Sequence, residues 1–338
     1  MNVFVTGGTG FVGAHLVKAL QARGDRVTCL VRRTARAEQL GWSGVRLVHG
    51  DLDDLAALRE GCAGAAVVYH LAAQIAARAP REFMTTNRDG TANVLVAAQE
   101  RVAQRFVLVS SLAAAGPTVP DQPIDESRAP SPVTEYGRSK LAAEALVRSA
   151  CLSWTIVRPP VVYGEWDRAT LKIFQLARRG IAFVFGDGSQ QLSIIHAEDL
   201  ARALVAAADS PAARNRLYFA THPALTTSLD LVRACARALG TTPRIVPVPA
   251  SIARGALWTI GSLAHLAGHA TLLSADKAEE YLAAAWTCRA SALTRDAYTR
   301  VKAVTRLATG SGYDYYDASW GVLTMMLMTG NMPDLTSP

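Results

Sequence analysis

The stretch TEYGRSK, residues 134–140, places Tyr136 four positions ahead of Lys140. On a helix that spacing puts both side chains on one face, where an ammonium beside a phenol can serve proton transfer. An ordinary helix surface, with a Tyr packed on a Lys stem, has the same spacing, so the rest of the chain has to decide. Tyrosine, with a pKa near 10, is too weak an acid for proton exchange at neutral pH. A neighbouring ammonium would favour the phenolate and lower that value. Ser110 and Ser111 end the apolar run RFVLVSS upstream, and Ser111 offers a hydroxyl that could orient a substrate oxygen.

A second constellation opens the chain. VTGGTGFVG places Gly7, Gly10 and Gly13 in a GxxGxxG arrangement between an apolar run and a helical one. Glycine permits a tight turn and close backbone approach, and the free N–H groups at a helix start hold a pyrophosphate. Thr9, Phe11 and Val12 share this turn and are expected among the cofactor contacts. A carboxylate after the second strand would bind the ribose hydroxyls of NAD, but LVRRTAR stands there. Arg32 and Arg33 suit a 2′-phosphate, so NADP is the preferred cofactor; NAD stays open, as does a reading of both as solvated loop arginines. Asp51 is placed to accept from the adenine amino group. Leu52, with Leu71, Ala72 and Ala73 after the fourth strand, would line the cofactor, joined by Pro159 and Val161.

These residues need a scaffold, and the first half supplies one. Apolar runs in NVFVTGG, DRVTCLVR, VRLVHGDL, AAVVYHLAA, RFVLVSS and LSWTIVRPP alternate with helical stretches, including a long one through TTNRDGTANVLVAAQERV. Such runs belong to a parallel sheet covered on both faces. The expected fold is α/β, a Rossmann-type doubly wound parallel sheet with a smaller, mainly helical C-terminal substrate-binding region. The cofactor domain is expected over residues 1–165, with returning segments near 190–210, and the substrate and lid region over 166–190 and 211–338. FVFGDGSQQLSIIHAEDL reads as a pair of short strands around a Gly-Asp-Gly turn.

The combination GGTGFVG, HLAA, LVSSLAAAG, YGRSK and RPPVVYG resembles the extended short-chain dehydrogenase/reductase family, within the NAD-dependent epimerase/dehydratase superfamily. The resemblance covers roughly residues 1–210 and implies an NAD(P)-dependent enzyme. It makes Ser111 the substrate-orienting hydroxyl, Tyr136 the acid/base and Lys140 the cofactor clamp. Asn87, in TTNRDG, matches an asparagine that shapes the site in that family; an ordinary helix N-cap is the alternative. Tyr163 and His196 are expected to border the substrate, against packing for the tyrosine and a strand-end hydrogen bond to Asp199 for the histidine.

Three departures from the nucleotide-sugar pattern of that family bear on the substrate. Leu192 stands where an arginine for a diphosphate is usual, RPPVVYG has Pro160 and Val161 where an Asn is frequent, and residues 255–275 carry no Asp, Glu, Lys or Arg. A buried diphosphate without a cation is costly, and Arg168, Arg178 or Arg179 would have to serve. These points resemble the hydroxysteroid dehydrogenase-like branch. The expected reaction interconverts a secondary alcohol and a ketone on a fairly hydrophobic molecule; the alternative is a nucleotide-sugar epimerase or dehydratase working through a transient ketone. Leu112 and Ala113 lack the Asp/Glu pair that dehydratases use. A noncatalytic cofactor-binding protein would be expected to lack Tyr136 or Lys140, and both are present.

The 338 residues, 50% hydrophobic and 19% charged, can bury a large core. With 35 basic against 28 acidic residues the formal charge is +7, without the dense basic block that marks nucleic-acid binding. Cys29, Cys62, Cys151, Cys235 and Cys288 have no metal-ligand spacing, and no metal is expected; the DYYD cluster at 314–317 reads as a solvated turn. Met1 leads straight into NVFVTGG, so a cytoplasmic location is expected. Residues 255–275 read as a buried or lid-forming helical pair, with a lipid contact or a membrane span as alternatives. A homodimer stays open.

Overall fold

A computed structural model describes residues 1–297 of the chain. The DYYD cluster and the remainder of residues 298–338 lie outside the described residues.

Strands β1 (Asn2–Thr6), β2 (Arg26–Val31), β3 (Arg46–His49), β4 (Val67–His70), β5 (Arg105–Val109) and β6 (Trp154–Arg158) are the six expected apolar runs. Between them lie helices α1 (Phe11–Ala22), α2 (Thr34–Gln39), α3 (Leu55–Cys62), α4 (Pro80–Phe83), α5 (Gly90–Glu100) and α6 (Glu135–Arg148). β7 (Val161–Tyr163), α7 (Arg168–Arg178), β8 (Ile181–Phe185), β9 (Gln191–Leu192), β10 (Ile194–His196), α8 (Ala197–Asp209) and β11 (Arg216–Phe219) follow. The described chain closes with β12 (Thr226–Thr227), α9 (Ser228–Ala238), β13 (Arg244–Val248), α10 (Ala250–Leu266), α11 (Ala275–Leu282), β14 (Ala285–Trp286) and α12 (Ser291–Asp296).

The main sheet has seven parallel strands in the order β11-β6-β5-β4-β1-β2-β3. The order reverses between β1 and β4, the switch point beyond whose carboxyl ends doubly wound folds bind ligands. Every residue of β5 is buried, as a strand covered on both faces requires. β11 is a strand the sequence pattern did not reveal: RLYF is short, and only its pairing with β6 defines it.

α8 returns from the smaller region to pack on α1, joining Leu200 and Leu204 to Leu16, Val17 and Leu20 in one core. Burying each such side chain contributes roughly 1.5–3 kcal/mol, so the inner stripe, rather than helix propensity, sets where α1 begins. The expected long helix through residues 85–102 is interrupted. Met84–Asp89 forms a π-helical turn between α4 and α5, and such turns recur at functional sites. The C-terminal region is helical with small strand pairs. β8 pairs with β13, not across its Gly-Asp-Gly turn, while β9 lies between β12 and β14.

Candidate active site

The glycine turn fits a pyrophosphate. Gly7 has φ +74°, and a Cβ there would fall 2.5 Å from the Ala72 nitrogen; one on Gly13 would fall 2.0 Å from the Gly7 carbonyl oxygen. Only glycine allows the turn to lie this close to the end of β4. No side chain caps α1 at Gly10, so the N–H groups of Phe11, Val12 and Gly13 are the orphan donors of a helix start. Ala72 N–H donates to Thr6 Oγ1 at 3.4 Å, tying the Leu71–Ala73 segment to the same floor. Asp51 is exposed and accepts from the Asp53 N–H, while the carbonyl of half-buried Leu52 accepts from Asn93. Pro159 accepts from the Leu112 N–H at 2.8 Å, and Val161 is exposed on β7.

At the end of β2, Arg32 and Arg33 are exposed. The structure adds Arg36, from the first turn of α2, which sequence reasoning passed over although it lies on the same short helix. Burial holds the Arg36 guanidinium below its usual value, and the charge of Arg168 on α7 adds to this. Positive charge from α7 thus reaches Arg36, and an anion bound there would relieve it. Arg178 and Arg179, at the far end of α7, are exposed.

Ser110 and Ser111 separate at the end of β5. Ser110 turns inward and donates to Glu144 at 2.5 Å. Ser111 faces the site, caps the short turn Leu112–Ala114 by accepting from the Ala113 N–H at 3.1 Å, and hydrogen-bonds to Tyr136. Two features set the approach of α6. Thr134 caps it by accepting from the Gly137 N–H, and Gly137 lies so near the preceding turn that a Cβ would fall 2.4 Å from the Ala113 carbonyl oxygen. The residue after Tyr136 is therefore glycine because α6 touches backbone there.

Lys140 is 2% exposed, and its ammonium donates to the Val109 carbonyl at 2.8 Å. Burial draws it down to about 8, against the upward pull of Glu144. The expected lowering of Tyr136 is not what the protein's own groups produce. Burial pushes Tyr136 up to about 12, the Glu280 carboxylate adds to the rise, and the Ser111 hydrogen bond opposes it. Desolvation thus outweighs that hydrogen bond, and the phenol keeps its proton at neutral pH. Below the site His70, held neutral at about 3 by burial and then by Lys140, joins Thr6 on β1 to Thr91 on α5.

Asn87, Tyr163 and His196, the three expected substrate contacts, are each engaged within the protein. Asn87 is buried inside the π-helical turn, not at an N-cap. Its amide accepts from the Gln74 N–H at 2.7 Å and donates to the Gln74 carbonyl and to Ser139 Oγ, so it joins the loop after β4 to α6. Tyr163 is buried with its ring 5.2 Å from that of His196. His196 caps α8 by accepting from the Glu198 N–H and lies 6.3 Å from the ring of His15 on α1. His196 thus lies where α1 meets α8, with Tyr163 beside it in the neighbouring apolar cluster. Leu192 is buried in the apolar cluster with Tyr163, Ile194 and Trp286.

Sequence reasoning missed the helix that covers the tyrosine. α11 lies over the start of α6: the Asp276 carboxylate accepts from the Glu135 N–H, and the Lys277 ammonium sits 4.7 Å from the centroid of the Tyr136 ring. The uncharged segment is divided accordingly, into α10, a turn through Gly268, and a bridge from Thr271 to Ala77. Among the described residues no helix is long and apolar enough to cross a membrane.

The family model for the NAD dependent epimerase/dehydratase family matches residues 3–218. The chain is 35% identical over 287 residues to a ceramide reductase from Caulobacter vibrioides, covering 84% of this chain and 85% of the relative. It is 33% identical over 263 residues to a 4-hydroxy-2-methyl-3-oxo-4-farnesyl-3,4-dihydroquinoline-1-oxide ketoreductase from Stigmatella aurantiaca, covering 76% and 78%. Among solved structures, a Thermus thermophilus UDP-glucose 4-epimerase in complex with NAD matches with a TM-score of 0.66 and 26% identity over 74% of this chain and 86% of that one. A match of this extent, over a site built from the glycine turn and the Ser111, Tyr136 and Lys140 group, makes the chain an NAD(P)-binding enzyme and a member of the NAD-dependent epimerase/dehydratase family.

Proposed function

We propose that the enzyme interconverts a secondary alcohol and a ketone on a lipophilic molecule, with Tyr136 as acid/base. The nicotinamide, when bound, supplies or accepts the hydride. Ser111 donates a hydrogen bond to the carbonyl oxygen and orients it. The Tyr136 hydroxyl gives that oxygen its proton as the carbon is reduced, and takes it back in the reverse direction. Lys140 reaches the same floor from α6 and would hold the ribose hydroxyls. The glycine turn would hold the pyrophosphate, and Arg32, Arg33 and Arg36 a 2′-phosphate, which supports NADP as the cofactor.

The observation that carries the substrate class is the identity of 35% and 33%, over most of each chain, to two relatives named for reduction of lipid-like molecules. Leu192, buried where a diphosphate would call for a cation, points the same way. The outer face of α10, with Trp258 63% and Leu266 82% exposed, is the described surface best suited to a lipid contact.

A second reading, nucleotide-sugar epimerisation, is favoured by the family model and by the fold likeness to a UDP-glucose 4-epimerase. It needs no catalytic residue beyond the same three. One experiment separates the two: long-chain ketones in micelles and UDP-glucose are each offered to the purified enzyme with reduced or oxidised cofactor. Net cofactor oxidation with the ketones supports the reductase. Conversion of UDP-glucose to its C4 epimer with no net cofactor change supports the epimerase instead.

A further inference from the structure

A lysine is rarely buried unless it is paired, because its charge loses solvation. Lys277 is 7% exposed, and its pairing is specific. The ammonium sits 2.7 Å from the Glu280 carboxylate, one turn along α11, and faces the Tyr136 ring. The pair is held from several sides. Ser274 caps α11 by accepting from the Lys277 N–H, and Glu280 accepts through its carbonyl from Trp286 Nε1 at 2.7 Å. Asp276, beside Arg138, anchors α11 to the first turn of α6 through the Glu135 N–H. Phe83 on α4 closes the ring from another side, 6.2 Å between centroids.

We propose that Lys277 and Glu280 are positioning residues for the proton transfer: the ammonium holds the Tyr136 ring by its face, Glu280 holds the ammonium, and the two charges together set how firmly Tyr136 keeps its proton. This rests on Tyr136 being the acid/base of the proposed reaction. A cation over an aromatic face is attracted by the ring quadrupole, more so when both are desolvated. The same cation favours the phenolate, and the carboxylate beside it favours the phenol. From α11, Lys277 faces the ring and Glu280 acts on the hydroxyl, while Asp276 meets the first turn of α6, where Glu135 pairs with Arg138. From the end of β5 comes only the neutral Ser111. With the carboxylate raising Tyr136 in company with burial, the balance lies toward the protonated form.

A purely structural ion pair and a tuning pair respond differently to removal of one charge at a time. Tyrosine labelled with ¹³C at Cζ is incorporated into the whole protein, and the Tyr136 resonance is identified by its loss in Tyr136→Phe. Its titration is then followed without substrate. Glu280→Gln should move ionisation to lower pH by roughly one unit, and Lys277→Met should leave less phenolate than the wild type at the highest pH at which the protein stays folded. The double variant should return toward the wild type, and Lys277→Arg should keep the wild-type curve. Single-variant curves that superimpose on the wild type, or that move in the same direction, overturn the proposal. If Tyr136→Phe abolishes turnover while the curves superimpose, this inference fails and the proposed function stands. If Tyr136→Phe keeps full turnover, the proposed function itself fails, whatever the titration.

Discussion

Glu144 on α6 and Arg158 at the end of β6 form a buried ion pair, with the carboxylate accepting from Nε at 2.8 Å and from an Nη at 2.6 Å. Ser110 donates to the same carboxylate, so one network ties together the catalytic helix and the carboxyl ends of two strands. Replacing Glu144 by Gln leaves the Arg158 charge without its counter-charge away from water. Unfolding in urea should show a stability loss of about 3–5 kcal/mol. A loss no larger than that of a typical surface substitution would contradict this account of the site's floor.

Lys140 offers a test through pH. Its folded-state value of about 8 lies below the 10.5 of an exposed lysine. Between those values the unfolded chain binds more protons than the native one, so stability rises with pH across that window. Below about 8 both states carry the charge, and burial of the ammonium costs its full amount. Relative to Lys140→Met, the wild type should therefore gain up to about 3 kcal/mol as pH climbs from 8 toward 10.5. Urea unfolding of both proteins across the window measures the difference, and a flat difference would rule out the depressed lysine.

Replacing Arg32 and Arg33 together by Ala should weaken NADPH binding by roughly 10-fold or more, since each charge-assisted hydrogen bond contributes about 1.5–3 kcal/mol, and leave NADH binding nearly unchanged. Arg36→Ala should act in the same direction. Fluorescence titration of each reduced cofactor provides the measurement. Equal losses for the two cofactors would remove the phosphate site.

Gly137→Ala should fold but lose activity. The added methyl group meets the Ala113 carbonyl oxygen at 2.4 Å, so α6 must retreat from the Leu112–Ala114 turn and carry Tyr136 away from Ser111. A displacement of that order at a reacting group costs about 10²-fold in turnover, with cofactor affinity much less affected. Unchanged turnover would show that the contact between helix and turn does not set the geometry.

The features legible in the residue spacing are local ones. The glycine turn was legible because its spacing reports backbone conformation directly, and Tyr136 with Lys140 because four residues make one turn of a helix. Six parallel strands were legible because a strand covered on both faces needs a continuous apolar run. The tertiary structure decided what depends on partners distant in the chain. β11 exists only by pairing with β6. Asn87 joins the Gln74 loop to α6, and His196 caps α8 beside α1 with Tyr163 packed against it. The proton affinity of Tyr136 rose because α11, arriving from the far end of the described chain, excludes water and brings Glu280. Desolvation and charge act through space, and no spacing along the chain encodes which helix will cover which hydroxyl.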